Sequence, residues 1–146
     1  MIVPAKLLAQ HTILENREII RIKGPETFSF LQGLISNDVN YLTSSQSIYA
    51  ATLSPQGKYL HDFILLMQNG EVLMDCEKDR SHDLVHRLTL FRLNSSVQIV
   101  PLGNTMVTAA IWADKGLPMP GIDHKLGATR SFGNGMIIVD LSLIHI

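Results

Sequence analysis

The fold is decided by residues 24–63, which begin GPETFSFLQGLISNDVN (24–40) and, beyond Tyr49, end SPQGKYLHDF (54–63). Pro25 suits the first turn of a helix, because its missing N–H would be unpaired there in any case. Four apolar residues then recur at helical spacing and predict one buried stripe, made by Phe28, Leu31, Leu34 and Ile35. A helix is therefore expected to open on the proline and to end at Ser36-Asn37-Asp38.

A three-stranded meander is expected to follow this helix. Residues 47–54 are apolar and rich in β-formers, and residues 55–58 (PQGK) give a turn signal into a second strand at 59–68. Asn69-Gly70 then predicts a type I′ hairpin into a strand at 71–76, because both central residues of that turn need positive φ.

Shorter strands are expected outside the meander, at residues 13–14, 18–22, 97–100 and 107–112. The first two would be joined by a turn at Asn16. Residues 116–135 are rich in glycine and proline and are expected to be mostly loop.

A second helix is expected after the meander. Asp79 or Ser81 would cap it. Its buried face would hold Leu84, Val85, Leu88 and Phe91. Helices interleaved with antiparallel hairpins predict an α+β fold, in which helices pack on an antiparallel sheet.

The composition excludes several classes of protein. With 146 residues, of which 46% are hydrophobic, the chain can bury a core as one domain. A net charge of −1 gives no attraction to nucleic acid or to an anionic membrane. No apolar run is long enough to predict a transmembrane helix, and no secretory signal is expected at the N-terminus. Cys76 is the single cysteine, which fits a reducing compartment.

The ordered set from Gly24 to Phe63, with Tyr49 between its two motifs, resembles the N-terminal part of the glycine-cleavage T-protein superfamily. Within it the chain looks most like the YgfZ branch of folate-binding proteins, which are linked to iron–sulfur cluster assembly. The resemblance is clearest over residues 10–105 and weaker to about 140. It implies an incomplete T-protein-like folate-binding domain over residues 1–140, with tetrahydrofolate as its cofactor.

The resemblance also implies partners and a location. The partners would be a reduced folate and iron–sulfur proteins or their assembly factors, with no membrane and no nucleic acid. The protein would be cytoplasmic, or in the mitochondrial matrix if eukaryotic. An active tetrahydrofolate-dependent aminomethyltransferase and a non-catalytic protein-interaction module are the alternatives.

Five residues are the candidates for folate binding by this resemblance: Tyr49, His61, Asp62, Asn37 and Asp38. A tyrosine suits a pterin, which offers a flat face and polar edges. The alternatives are ordinary strand packing for Tyr49, local pairing for Asp62, and backbone capping for Asn37 and Asp38. His61 and Asp62 are adjacent on a strand, so their side chains should point to opposite faces.

The chain departs from the family at two points. The T-proteins carry paired aspartates where this chain has His61 and Asp62, and an imidazole cannot supply a permanent negative charge, which argues against aminomethyl transfer. The reactive-cysteine motif of the YgfZ branch does not occur in the chain, and Cys76, between two acidic residues, does not substitute for it. No catalytic residue is assigned, and His82 and His86 are read as a solvated helix face rather than a metal site.

Residues 141–146 (LSLIHI) match the translation of an adaptor used in sequencing libraries and are expected to be a non-native tail. The alternative is a genuine terminal strand continuing from residues 136–139. If the tail is foreign, its deletion should change stability by no more than about 0.5 kcal/mol.

Overall fold

The computed structural model describes residues 10–112 and 125–138, so the tail expected at 141–146 and the first part of the loop expected at 116–135 lie outside it. The strands are β1 (Gln10–Ile13), β2 (Arg17–Lys23), β3 (Ile48–Leu53), β4 (Tyr59–Gln68), β5 (Glu71–Glu77), β6 (Gln98–Pro101), β7 (Ala109–Trp112), β8 (Thr129–Phe132) and β9 (Gly135–Ile138). The helices are α1 (Thr27–Gln32) and α2 (Lys78–Arg92), and Val39–Tyr41 and Gly103–Thr105 form single 3₁₀ turns.

A five-stranded antiparallel sheet in the order β3-β4-β5-β2-β6 organises the fold. It contains the predicted meander as β3, β4 and β5. Asn69 and Gly70 have φ of 53° and 77°, which confirms the predicted turn between β4 and β5. Helices packed on an antiparallel sheet confirm the predicted α+β class.

The two faces of this sheet bury different sets of side chains, because successive residues of a strand point to opposite sides. The helical face carries the main core, in which Ile20 and Phe63 pack with Leu31 of α1 and Leu84 of α2. The opposite face carries a smaller cluster, whose buried members are Ile19, Leu66 and Leu73 and whose flanks are Leu102, Met106, Met136 and Ile138. Part of that opposite face is therefore covered by the β8–β9 hairpin.

The first two strands, β1 and β2, are joined by a turn at residues 15–16, as expected. They do not pair with each other, because β1 pairs with β7, Gln10 lying opposite Trp112. β2 instead lies between β5 and β6, a position that suits its isoleucines on both faces, whereas every residue of β1 is exposed. Residues 129–138, part of which was expected as loop, form the β8–β9 hairpin.

The helices also differ from the expectation. α1 ends at Gln32, because the chain just beyond it pairs with the edge of β3. Ile35 forms a β-bridge with Thr52, and the Ser36 amide donates to the Ala51 carbonyl oxygen. Pro25 lies just before the helix rather than in its first turn.

α2 is confirmed in position but not in its cap or its buried face. β5 runs directly into it, and the preceding Glu77 makes no side-chain cap, so neither Asp79 nor Ser81 has that role. Leu84 and Leu88 are buried as expected, but Phe91 is 60% exposed. None of the described helices is long and apolar enough to cross a membrane.

Candidate functional site

Two tyrosines and an aspartate form a hydrogen-bonded cluster on the sheet face opposite the helices. The Tyr49 hydroxyl, on β3, donates to Asp62 Oδ2 at 2.7 Å. The Tyr59 hydroxyl, at the start of β4, donates to Asp62 Oδ1 at 2.8 Å. The structure thus brings together Tyr49 and Asp62, two of the five candidates, and adds Tyr59.

A β-bulge places Tyr59 in this cluster. In the β3–β4 ladder Thr52 lies opposite His61, but Leu53 lies opposite Tyr59, so Leu60 is the extra residue. Without a bulge, residues 59 and 62 would point to opposite faces, because they are an odd number of positions apart. The extra residue reverses that parity and brings the Tyr59 phenol to the same side as Asp62. Sequence alternation alone therefore missed Tyr59, and no local motif marks the bulge.

The cluster is an anion held by two neutral donors. Partial burial would raise the pKa of Asp62, but the hydrogen bonds from the two phenols, together with the Arg17 charge, outweigh burial and hold that pKa below its usual value. Burial, followed by the hydrogen bond to Asp62, raises the pKa of Tyr49 to about 12. The same two causes raise the pKa of Tyr59. At neutral pH the carboxylate is charged and both phenols keep their protons.

An ion pair lies on the same sheet face. Arg17 of β2 donates from Nε to Asp75 Oδ1 and from Nη2 to the Asp75 carbonyl oxygen, each at 2.8 Å. Asp75 of β5 lies opposite Ile64, two residues along β4 from Asp62, so both aspartates point to this face. Burial raises the pKa of Asp75, and the neighbouring Arg17 opposes that rise. Arg17 is a site residue that sequence reasoning missed, because it is 58 residues from its partner.

Asn37 and Asp38 act on the backbone around the cluster. Asn37 Nδ2 donates to the Tyr49 carbonyl oxygen at 2.9 Å, and Asn37 Oδ1 accepts from the Asp38 amide at 2.8 Å. Asp38 Oδ1 accepts from the Asn40 amide at 2.9 Å and so caps the 3₁₀ turn that follows. These contacts match the capping alternative and also brace the backbone of Tyr49.

His61 lies on the other side of the sheet. Its side chain is 4% exposed, and Nε2 lies 2.7 Å from Asp83 Oδ2 on α2. The expected opposition of His61 and Asp62 is therefore confirmed, and His61 does not join the cluster around Tyr49. The predicted role of His61 in folate binding stays a prediction, and it would require a ligand on the helical face of the sheet.

Two clefts lie elsewhere on the described surface. One, of about 320 Å³, lies between the β4–β5 and β8–β9 turns and is lined in part by Gln68 and Asn134. The other, of about 230 Å³, is an apolar groove between α2 and the β3–β4 turn, with Phe91 at its edge. Neither includes Tyr49 or Asp62, so the cluster lies outside both clefts. Within residues 10–112 and 125–138, no three His, Cys, Asp or Glu side chains group as metal ligands.

Comparison with known proteins defines the class of protein. No protein-family model matches the chain. A crystal structure of the glycine cleavage system aminomethyltransferase T from Bartonella henselae superposes with a TM-score of 0.69 at 19% sequence identity, over 83% of this chain and 35% of that one. The chain therefore has the T-protein-like fold, as residues 24–63 predicted.

Within that class, the relatives are iron–sulfur cluster assembly factors of the IBA57 type. The IBA57 homolog of Mycosarcoma maydis is 28% identical over 124 residues, which is 76% of this chain and 31% of the relative. Human IBA57 is 29% identical over 111 residues, covering 67% and 31%. The chain is thus a T-protein-like protein related to IBA57, and it spans about a third of the length of these relatives. Both relatives are named as mitochondrial, in agreement with the mitochondrial option.

Proposed function

We propose that this protein supports iron–sulfur cluster assembly in mitochondria and binds a reduced folate on the sheet face of Tyr49 and Asp62. The names of the IBA57 relatives support the assembly role. The single observation that supports the ligand is the Tyr49–Asp62 hydrogen bond of 2.7 Å, on the non-helical face of a T-protein-like sheet.

The chemistry of the cluster suits a reduced pterin. The pterin ring carries several N–H donors along one edge. An ionised carboxylate such as that of Asp62 accepts hydrogen bonds from N–H groups more strongly than a neutral acceptor does. Asp62 keeps lone pairs beyond the two used by the phenols, because two carboxylate oxygens offer about four acceptor positions. The Tyr49 ring adds an apolar surface with a polar end.

The folate proposal is tested by calorimetry of the protein from its complete reading frame with folinic acid, a stable reduced folate. Asp62→Asn should weaken binding at least about tenfold, because a hydrogen bond to a charged group is replaced by one to a neutral group. Asp79→Asn removes an exposed carboxylate from α2 and should leave binding unchanged. Absence of binding by well-folded wild type at high protein concentration would reject the folate ligand.

The assembly role is tested separately, by complementation. In a fungal strain that lacks its IBA57 homolog, the complete protein, directed to mitochondria, should restore the activity of an iron–sulfur enzyme and leave a cluster-free mitochondrial enzyme unchanged. Failure to restore it at normal protein levels would count against the assembly role.

Aminomethyl transfer is the second candidate, favoured by the T-protein-like fold alone. Folate-dependent transfer from an aminomethyl donor at ordinary enzyme rates would establish it. A protein that binds no folate but co-purifies with an iron–sulfur protein would instead be an interaction module.

A further inference from the structure

We infer that Tyr59 is a ligand-binding residue of the same site, where its ring forms one wall for a planar heteroaromatic ligand and Arg80 fixes that ring in place. This inference rests on the proposed folate function and extends it to a residue that the resemblance did not put forward as a ligand.

The first support is the direction of the side chain. The bulge at Leu60 is the feature that brings Tyr59 to the face of Asp62, and bulges commonly re-aim side chains next to functional sites. Without the bulge, the side chain of Tyr59 would point to the other face of the sheet, the face of His61 and α2.

The second support is that the ring is held at two points. Its hydroxyl donates to Asp62 Oδ1 at 2.8 Å, and the Arg80 guanidinium carbon lies 5.7 Å from the ring centroid. That distance is within the range of a cation–π contact. Because Arg80 belongs to the first turn of α2, the ring is fixed to both the sheet and the helix.

The third support is that the ring keeps accessible surface despite these contacts. Tyr59 is 52% exposed, although one face is under Arg80 and its hydroxyl is bonded. An oriented, half-exposed aromatic ring beside an ionised carboxylate can stack on a flat ring while the carboxylate accepts from that ring's N–H edge. The ligand class that matches both groups is a planar heterocycle with N–H donors on one edge, which includes the pterins.

The test compares folinic acid binding by wild type, Tyr59→Leu, Tyr59→Phe and Arg80→Gln, with Tyr41→Leu as the matched control. Tyr41 is another exposed tyrosine, at 65%, in a different part of the chain. Tyr59→Leu should weaken binding about tenfold, since it removes the ring. Tyr59→Phe should weaken it about threefold, because only the hydroxyl is lost, and Arg80→Gln should have a smaller effect in the same direction.

A spectroscopic measurement separates contact from mere support of the fold. The pterin protons should shift upfield in the NMR spectrum when bound to wild type and to Tyr59→Phe, and this ring-current shift should become clearly smaller in Tyr59→Leu, in which only the Tyr49 ring remains beside the ligand. If Tyr59→Leu binds like wild type, or if its ring-current shift equals that of wild type, the inference about Tyr59 is wrong although the folate site stands. If wild type binds no folinic acid, the folate proposal and this inference fall together.

Discussion

His61 Nε2 lies 2.7 Å from Asp83 Oδ2, which joins a buried residue of the sheet to a half-exposed carboxylate on α2. Arg87, one turn further along α2, donates to the same oxygen at 2.7 Å. These hydrogen bonds, that of Arg87 first and that of His61 second, hold the pKa of Asp83 below its usual value. The contact ties α2 to the helical face of the sheet.

This pair predicts an acid-dependent part of the stability. A carboxylate whose folded-state pKa is depressed contributes stability above its unfolded pKa and loses it as pH falls through the folded value. The free energy of unfolding of wild type should therefore decrease as pH falls below about 4, and Asp83→Asn should show a shallower decrease. Urea melts of both proteins, at a series of pH values above and below about 4, measure this pH dependence of the free energy of unfolding. Asp79→Asn should keep the wild-type slope, and equal slopes for Asp83→Asn and wild type would contradict the prediction.

The Tyr49–Asp62 hydrogen bond predicts the titration of a phenol. Tyr49 should ionise only at about pH 12, and Asp62→Asn should move that midpoint down, because the carboxylate's charge and its hydrogen bond both favour the protonated phenol. NMR of isotope-labelled tyrosine follows the ring, with Tyr49→Phe assigning the signal and circular dichroism verifying that the protein stays folded. An unchanged midpoint in Asp62→Asn would show that the hydrogen bond does not form in solution.

Gly24 is predicted to be intolerant of a side chain. Its φ is 132°, and a Cβ built there would lie 2.1 Å from the Ser96 carbonyl oxygen. Gly24→Ala should destabilise the protein by at least about 2 kcal/mol, because it combines a strained φ with a backbone clash. Gly103, with φ of 53° and open space around it, is the control, and Gly103→Ala should cost only about 1 kcal/mol. Equal losses in denaturant melts would mean that the contact with Ser96 is not close.

Cys76 is predicted to be inert in the folded protein. Burial, reinforced by Asp75 and Glu18 against the opposing charge of Arg17, raises the pKa of its thiol to about 12. Since the thiolate is the reactive form, a thiol-specific reagent at neutral pH should label the native protein far more slowly than the unfolded one. In denaturant one thiol per chain should react, because Cys76 is the only cysteine. Rapid labelling of native protein would show that β5 opens readily.

Local features of the sequence were enough to predict the meander and α2. The Asn69-Gly70 turn and the helical spacing of Leu84 and Leu88 each depend on residues a few positions apart, so their signal survives without knowledge of the fold. Strand alternation was likewise enough to separate His61 from Asp62. The family motif identified the T-protein-like class, and folate binding stays a prediction.

Tertiary structure alone decided which residues lie together on the sheet face of the candidate site. The sequence could not show that Arg17 meets Asp75, since that contact depends on β2 lying beside β5 across 58 residues of chain. Nor could it show that Tyr59 reaches Asp62, because one extra residue in the β3–β4 ladder reverses the parity that alternation assumes. The sequence by itself determined the helices and strands, because the signals for them come from residues close together in the chain. The site was decided by strand pairing and register, which bring together strands from distant parts of the chain and so cannot be predicted from local signals.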